Sequence, residues 1–197
     1  MKPAYHHGSL RRALLDEAAA VLETDGVGAL ALRDLARRVG VSATAPYHHF
    51  RGKADLVCAL AEDVLSDLDV VLAAATVLPV SPDARLHAQG VAYVLFAVDH
   101  PARFRVAFRP EMGEPFAGLA GGTLPEDVVA FRQLVRAVRD LVPAVADPLG
   151  RAVALWSLVH GLASLLVDGP LRPLSTDRDR VRRLAEATLG HVVQTDP

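Results

Sequence analysis

Apolar residues recur at helical spacing along nearly the whole chain, and glycine or proline interrupts the pattern at intervals. One short segment has apolar residues at i, i+3, i+4 and i+7 with a glycine directly after them: Leu32, Leu35, Ala36, Val39 and Gly40. We find no convincing alternation of apolar and polar residues, as in a half-buried strand, and no internal repeat. The pattern predicts an all-α fold of about nine helices.

The breaks give each predicted helix its bounds. Ala31, at the N-cap position of the second helix, has no side-chain oxygen to accept a backbone N–H, so we expect a weak start there. The predicted elements are a helix from Ser9 to Asp25, one over 32–39, one from Ser42 to about His49, a long one from Lys53 to about Ala75, one over 83–99, a short one from Pro101, a loop over 109–122, a helix opened by a capping box at Thr123 and Glu126, one from Asp147 to Gly169, and a last one from Thr176 or Asp177.

Charge is distributed unevenly along the 197 residues. Residues 1–53 hold eight Lys and Arg side chains against five carboxylates, a net charge of +3, whereas the remainder holds 13 against 18, a net of −5. A basic end joined to an acidic body indicates that the end meets a polyanion. We therefore divide the chain into a basic N-terminal domain, 1–53, and an acidic C-terminal domain, 54–197.

Composition excludes several classes of protein. Hydrophobic residues make up 51% of the chain and charged residues 22%, as in soluble globular proteins. The longest uncharged stretch, 152–167, is shorter than the roughly 20 residues that a membrane span needs. Cys58 is the only cysteine, which rules out an intramolecular disulfide and a multi-thiolate metal site. These features predict a cytoplasmic protein without a membrane segment.

The segment after the second predicted helix has the spacing of a helix-turn-helix. Ala36 is small where two helices would approach closely, and Gly40 falls in the turn, where a positive φ is easiest for glycine. The next short helix carries Thr44, Tyr47 and His48, which can donate hydrogen bonds to phosphates or bases. This spacing favours DNA binding, with an ordinary helical hairpin as the alternative.

A family resemblance rests on the stretch LRDLARRVGVSATAPYHHFRGKADL, residues 32–56. It resembles the DNA-binding region of the TetR family, in which an aromatic-x-His-Phe motif and then a lysine follow the helix-turn-helix; here they are Tyr47, His49, Phe50 and Lys53. Residues 5–26 are similar to the family's first helix. The resemblance implies a double-stranded DNA operator as partner and these DNA-facing residues: Arg33, Ser42, Thr44, Tyr47, His48 and Lys53.

Pro46 departs from the family pattern, which more often has leucine at this position. Proline lacks an N–H and stiffens the first turn of a helix. The pose of the recognition helix is therefore open at this point.

The helix predicted after Asp147 is apolar nearly all round, which is typical of a helix buried on more than one side. Trp156 and His160 share one strip, four leucines cover the opposite side, and a stripe of small residues runs between them. The small residues are Ser157, Gly161 and Ser164. We expect the last two helices to form a two-fold dimer seam, with a monomer built around this helix as the alternative.

Aromatic residues cluster in the body, where an apolar cavity with a few polar groups would suit a small-molecule sensor. The W-x-x-x-H-G spacing of Trp156, His160 and Gly161 resembles one class of TetR C-terminal domain, as does the stretch HPARFRVAF, 100–108. The predicted ligand-binding residues are Tyr93, Phe96, His100, Phe104, Phe108, Phe131, Trp156 and His160. Core packing is the alternative for each polar residue among them.

Together with these patterns, the resemblance implies a DNA-binding domain over 1–53 and a ligand-binding and dimerisation domain over 54–197. It implies a repressor that a small, mostly apolar ligand releases from its operator. The alternatives are a regulator that responds to a protein partner and an activator. No nucleotide-binding, hydrolase or metalloprotease motif is present, and adjacent histidines such as His6-His7 and His48-His49 point about 100° apart on a helix. We therefore expect no enzyme activity, catalytic residue, cofactor or metal.

Overall fold

The computed structural model describes residues 7–78, 81–109, 129–141 and 147–193, and these residues form helices and turns without a strand. Within these residues, three 3₁₀ turns accompany the α-helices: Val27–Ala29, Ala45–His48 and Arg172–Thr176. The α-helices are α1 (His7–Asp25), α2 (Leu32–Val39), α3 (Lys53–Ala75), α4 (Pro82–Asp99), α5 (Pro101–Ala107), α6 (Val129–Leu141), α7 (Pro148–Val167) and α8 (Arg178–Val193). The predicted all-α class is confirmed.

The chain forms two compact units. The first unit comprises Met1–Val64 with Ala102–Met112, and the second comprises Leu65–Pro101 with Gly113–Pro197. Helix α3 supplies residues to both units. The domain boundary predicted after residue 53 follows the end of the DNA-binding motif and stays a prediction.

The first unit has a core of aliphatic side chains around one phenylalanine, Phe50, which is 1% exposed. Helices α1, α2, α3 and α5 all contribute to this core. Its fully enclosed members include Leu14, Leu15, Leu22, Leu30, Leu35, Leu56 and Leu60. Burial of this apolar surface stabilises the unit and fixes α2 against α1.

The two ends of α2 differ in how their backbone groups are satisfied. Ala31 precedes the helix without a side-chain cap, as predicted. At the other end Gly40 takes the left-handed conformation (φ 80°), and the N–H of Val41 donates to the carbonyl of Ala36 at 2.9 Å. This six-to-one hydrogen bond is the Schellman motif, which ends the helix sharply and starts the turn.

The third predicted helix is a 3₁₀ turn over Ala45–His48, not an α-helix. Pro46 is the physical reason, because it has no N–H to donate to the carbonyl of Ser42; the N–H of Ala45 does so instead, at 3.1 Å. The expectation that Ser42 caps this helix is wrong, since Thr44 is the N-cap and no side chain caps the turn. The Ser42 hydroxyl lies 3.2 Å from that of Thr44.

Helix α4 is the centre of the second unit and packs against α6, α7 and α8. Gly90 lies where α4 meets α7 and α8. A Cβ placed there would lie 2.6 Å from a methyl carbon of Leu189 and 3.3 Å from one of Val159. The absence of a side chain at Gly90 thus permits the close contact of α4 with α7 and α8.

Helix α7 is long and apolar enough by length and composition to cross a membrane, and 39% of its most apolar window is buried within the protein. Its buried residues face α4 and α6, as expected for a core helix. The leucine side predicted from the sequence is split, because Leu155 and Leu162 are buried whereas Leu165 is 43% exposed. The small residues Ser157 and Gly161 lie on the accessible side.

Side-chain caps begin three helices of the second unit. The carboxylate of Asp147 accepts the Gly150 N–H at 2.8 Å, and that of Asp177 accepts the Arg180 N–H at 2.9 Å, so Asp177 rather than Thr176 starts α8. Ser81 caps α4.

One predicted helix cap is wrong, and two further predicted features cannot be compared with the structure. Helix α1 begins two residues before Ser9, which therefore does not cap it. The capping box at Thr123 and Glu126 and the loop over 110–122 lie outside the described residues.

Replacing Gly40 by alanine tests the left-handed end of α2. We expect Gly40→Ala to lower the free energy of unfolding by about 1 kcal/mol, because an L-residue is strained at this φ. The matched control is Gly28→Ala, where φ is not positive and a Cβ meets nothing within 4 Å. Urea unfolding followed by circular dichroism measures both, and equal midpoints for the two variants would contradict the assignment.

Candidate nucleic-acid interface and ligand site

The segment after Gly40 presents polar side chains outward and apolar ones inward. Ser42, Thr44 and His48 are exposed, and Tyr47 is 49% exposed. Pro46 and Phe50 are buried. The proline therefore fills a core position and leaves the outer face to the predicted DNA-facing residues.

Helix α2 adds positive charge beside this face, and its three arginines differ in their pairing. Arg37 forms an ion pair with Asp34 at 2.7 Å, and Arg38 forms one with Glu17 at 3.1 Å. Arg33 is exposed and has no ion pair with a described carboxylate. Of these arginines, Arg33 therefore has the guanidinium most available to a phosphate.

Lys53 is the first residue of α3 and follows the exposed segment. Its Nζ donates to the carbonyl of Gly28 at 2.9 Å, which ties the start of α3 to the turn after α1. The side chain remains exposed, and an ammonium group has three N–H donors. Lys53 can thus keep its backbone contact and still approach a phosphate.

Two residues that the sequence did not single out position this unit. Arg12 on α1 contacts Asp63 on α3 at 2.8 Å, and it also pairs with Asp16. The guanidinium of Arg11 lies over the ring of Phe50, 5.4 Å from its centre. The i, i+4 spacing of Arg12 and Asp16 was the one available sequence signal, since the other partners are distant in the chain.

Four predicted ligand-site residues form one aromatic cluster in the second unit. The Tyr93 hydroxyl lies 2.8 Å from Nδ1 of His160, and Nε1 of Trp156 donates to that hydroxyl at 3.4 Å. Phe131 meets Trp156 edge to face at 5.6 Å between ring centres. Helices α4, α6 and α7 bring these side chains together.

Two hydrogen bonds meet at the Tyr93 hydroxyl. Its oxygen accepts from Trp156, and it shares a second hydrogen bond with Nδ1 of His160, in which either group can be the donor. Burial lowers the pKa of His160 and raises the pKa of Tyr93, so both groups are neutral near pH 7. The cluster therefore offers neutral, largely aromatic surface with few polar groups.

The other four predicted ligand-site residues lie elsewhere. Phe96 on α4 and His100, the residue directly after this helix, form a pair with ring centres 5.2 Å apart, and they line a separate groove of the second unit. Phe104 and Phe108 form a pair at 5.0 Å that belongs to the first unit. The eight residues thus form three groups.

Among the described residues, no group of three or more His, Cys, Asp and Glu side chains could hold a metal ion. His48 is exposed and His49 is half-buried. His6 lies outside the described residues.

Family comparisons match both parts of the chain. Residues 14–60 match the family described as "Bacterial regulatory proteins, tetR family". Residues 86–191, more than half of the chain, match the family described as "Tetracyclin repressor-like, C-terminal domain". The first match covers α2, the turn and the exposed segment.

Individual relatives agree with this result. An uncharacterized HTH-type transcriptional regulator of Mycobacterium tuberculosis is 26% identical over 182 residues, 89% of this chain and 79% of the relative. A solved structure of a protein with unknown function from Rhodococcus sp. RHA1 is 33% identical, covers 98% of this chain and 100% of its own, and has a TM-score of 0.73.

A TetR-family transcriptional regulator from Pectobacterium atrosepticum shares the fold over the whole of both chains, with 21% identity and a TM-score of 0.69. The chain belongs to the TetR family of DNA-binding transcriptional regulators.

Proposed function

We propose that the protein is a dimeric repressor that binds its operator through the exposed segment 42–48 and leaves it when a small, mostly apolar ligand binds the second unit. The observation that carries the proposal is the outward face of that segment. Ser42, Thr44, Tyr47 and His48 are all accessible directly after the left-handed Gly40. A recognition element needs such accessible donors to reach base edges in the major groove.

The proposal divides the DNA-facing residues by the contact that each can make. Thr44, Tyr47 and His48 lie on the recognition segment and are assigned to base edges and nearby phosphates. Arg33 and Lys53 flank the segment and are assigned to phosphates, where their charge contributes affinity without sequence preference.

Two substitutions separate these roles. We expect Arg33→Ala to weaken binding to operator and random duplex alike, and to reduce the slope of log affinity against log salt by about 1. Tyr47→Ala should instead reduce the preference for operator over random duplex, because it removes a contact on the recognition segment. Fluorescence anisotropy with an operator selected from random-sequence duplexes measures both effects.

Arg136→Ala is the matched control, because Arg136 is an exposed arginine of the second unit on α6, outside the assigned dimer seam. Unchanged affinity, specificity and salt slope in both test variants would show that DNA binds another face.

TetR-family regulators act as dimers, and we assign the dimer seam of this protein to α7 and α8. Gly161 supports the assignment, because a Cβ there meets nothing within 4 Å in the subunit. The same is true of Gly190 on α8. Gly161 lies beside Ser157 and the exposed Leu165, a small and apolar surface that suits close helix packing with a second subunit.

A bulky residue at Gly161 should separate the subunits without unfolding them. We expect Gly161→Phe to convert the dimer to monomer at micromolar concentration, as measured by analytical ultracentrifugation. Operator binding should also weaken, because the first units of the two subunits no longer bind the DNA together. Ala73→Phe, at an exposed position of α3, is the control. A Gly161→Phe protein that remains a dimer of unaltered affinity would place the seam elsewhere.

For the sensor we propose the cluster of Tyr93, Phe131, Trp156 and His160, whose neutral aromatic surface suits a mostly apolar molecule. Binding would favour one arrangement of the second unit. Since α3 supplies residues to both units, it would transmit the change to the recognition segment. Operator half-sites have a fixed spacing. A change of a few ångströms in the distance between the two recognition segments of the dimer would therefore be enough to release one of them from its half-site.

Trp156 reports on this site directly, because it is the only tryptophan of the chain. A hydrophobic compound that occupies the cluster should shift Trp156 emission and lower operator affinity over the same concentration range. Trp156→Phe should bind the compound with altered affinity and lose the signal. Equal operator affinity with and without a compound that shifts the emission would exclude induction by that compound.

The proposed role places the protein in the cytoplasm, where its operator is accessible, and assigns it no enzymatic step. A regulator that responds to a protein partner is the competing proposal. A cluster that binds no compound in a broad thermal-shift screen would favour it.

A further inference from the structure

A groove in the second unit lies apart from the aromatic cluster. Its floor is α4, and its walls are the last part of α3 and the outer face of α8. The cavity volume is about 590 Å³, within the range of roughly 300–1,000 Å³ that is usual for small-molecule sites. Small and aliphatic side chains line most of its length: Val71, Ala74, Ala75, Ala88, Val91 and Ala92.

Two contacts show how α8 runs along α4 at the groove. Near one end Arg178 holds Asp99 through Nε at 3.1 Å and through a terminal nitrogen at 3.0 Å. Near the other end Nε2 of His87 donates to the carbonyl of Glu186 at 3.2 Å. Helices α4 and α8 are therefore antiparallel here. The two contacts lie 12 residues apart on α4 and eight apart on α8, so the groove between them is roughly 12–18 Å long at about 1.5 Å of rise per residue.

Arg182 lies between the two contacts and lines the groove. It is one helical turn from Arg178 and one from Glu186, and it makes no ion pair with a carboxylate of the described residues. Arg178, in contrast, is neutralised by Asp99. The groove thus combines apolar walls with one guanidinium, Arg182, and one carboxylate, Glu186, that have no ion pair among the described residues.

We propose that this groove binds an amphipathic monoanion, a molecule with an extended hydrocarbon part and a single carboxylate that pairs with Arg182. The apolar walls contact the hydrocarbon, and the guanidinium donates charge-assisted hydrogen bonds to the carboxylate. Glu186, which also lines the groove, disfavours a second negative charge on the ligand. This inference adds a site and a ligand class to the proposed function and does not depend on the aromatic cluster.

Isothermal titration calorimetry of the full-length protein with decanoate and 1-decanol tests the proposal, because the two probes share chain length and differ in charge. We expect decanoate to bind about tenfold more tightly, the effect of one charge-assisted contact. Arg182→Gln should remove that difference, whereas Arg136→Gln, at an exposed position of α6 outside the groove lining, should preserve it.

A second pair of variants tests the location. Ala74→Phe should abolish binding of both probes because it fills the groove, and Ala73→Phe should leave binding unchanged because Ala73 does not line it. Both alanines are exposed on α3, so neither change disturbs the core. No binding of decanoate, equal binding of the two probes, or a preference that survives Arg182→Gln would overturn the proposal.

The two proposals fail separately. If decanoate binds in the groove but operator affinity does not change, the site stands and induction by this ligand fails. If another compound shifts Trp156 emission and releases the operator while decanoate does not bind, the groove proposal alone fails.

Discussion

The left-handed turn at Gly40 determines how the chain leaves α2, and the candidate DNA interface depends on that direction. The Val41 N–H closes the turn on the carbonyl of Ala36, and the next residues run outward before Pro46 and Phe50 return to the core. Because these two side chains are buried, the intervening polar side chains face solvent. The contacts of Lys53 with Gly28 and of Arg12 with Asp63 then hold α3 in place within the same unit.

Most of the helices could be predicted from the sequence, because apolar periodicity and Gly or Pro breaks act locally. The starts at Asp147 and Asp177 follow from short-range capping, and the left-handed Gly40 follows from glycine's conformational freedom. The third helix could not be predicted correctly from its periodicity and its apparent cap. Its form depends on one missing N–H at Pro46, which exchanges α-helical for 3₁₀ hydrogen bonds.

The candidate ligand site shows what local patterns cannot supply. Tyr93 and His160 are distant in sequence but share a hydrogen bond, and their pairing depends on how α4 crosses α7. Phe104 and Phe108, similar in type and close in the chain to Phe96, belong to the other unit. Aromatic content alone therefore predicts that a core exists, but not which aromatic residues belong to which of the two units. That Arg182 has no ion pair within the described part of the chain could not be predicted either, since ion pairing on α8 involves α4.

The central claim is that the residues around the 3₁₀ turn read the operator. A crystal structure of the protein on its selected operator tests this most directly. The account predicts segment 42–48 of each subunit in a major groove, the two half-sites about one helical turn of roughly 34 Å apart, and Arg33 against a phosphate. DNA bound to any other surface, with Tyr47 and His48 still exposed to solvent, would contradict it.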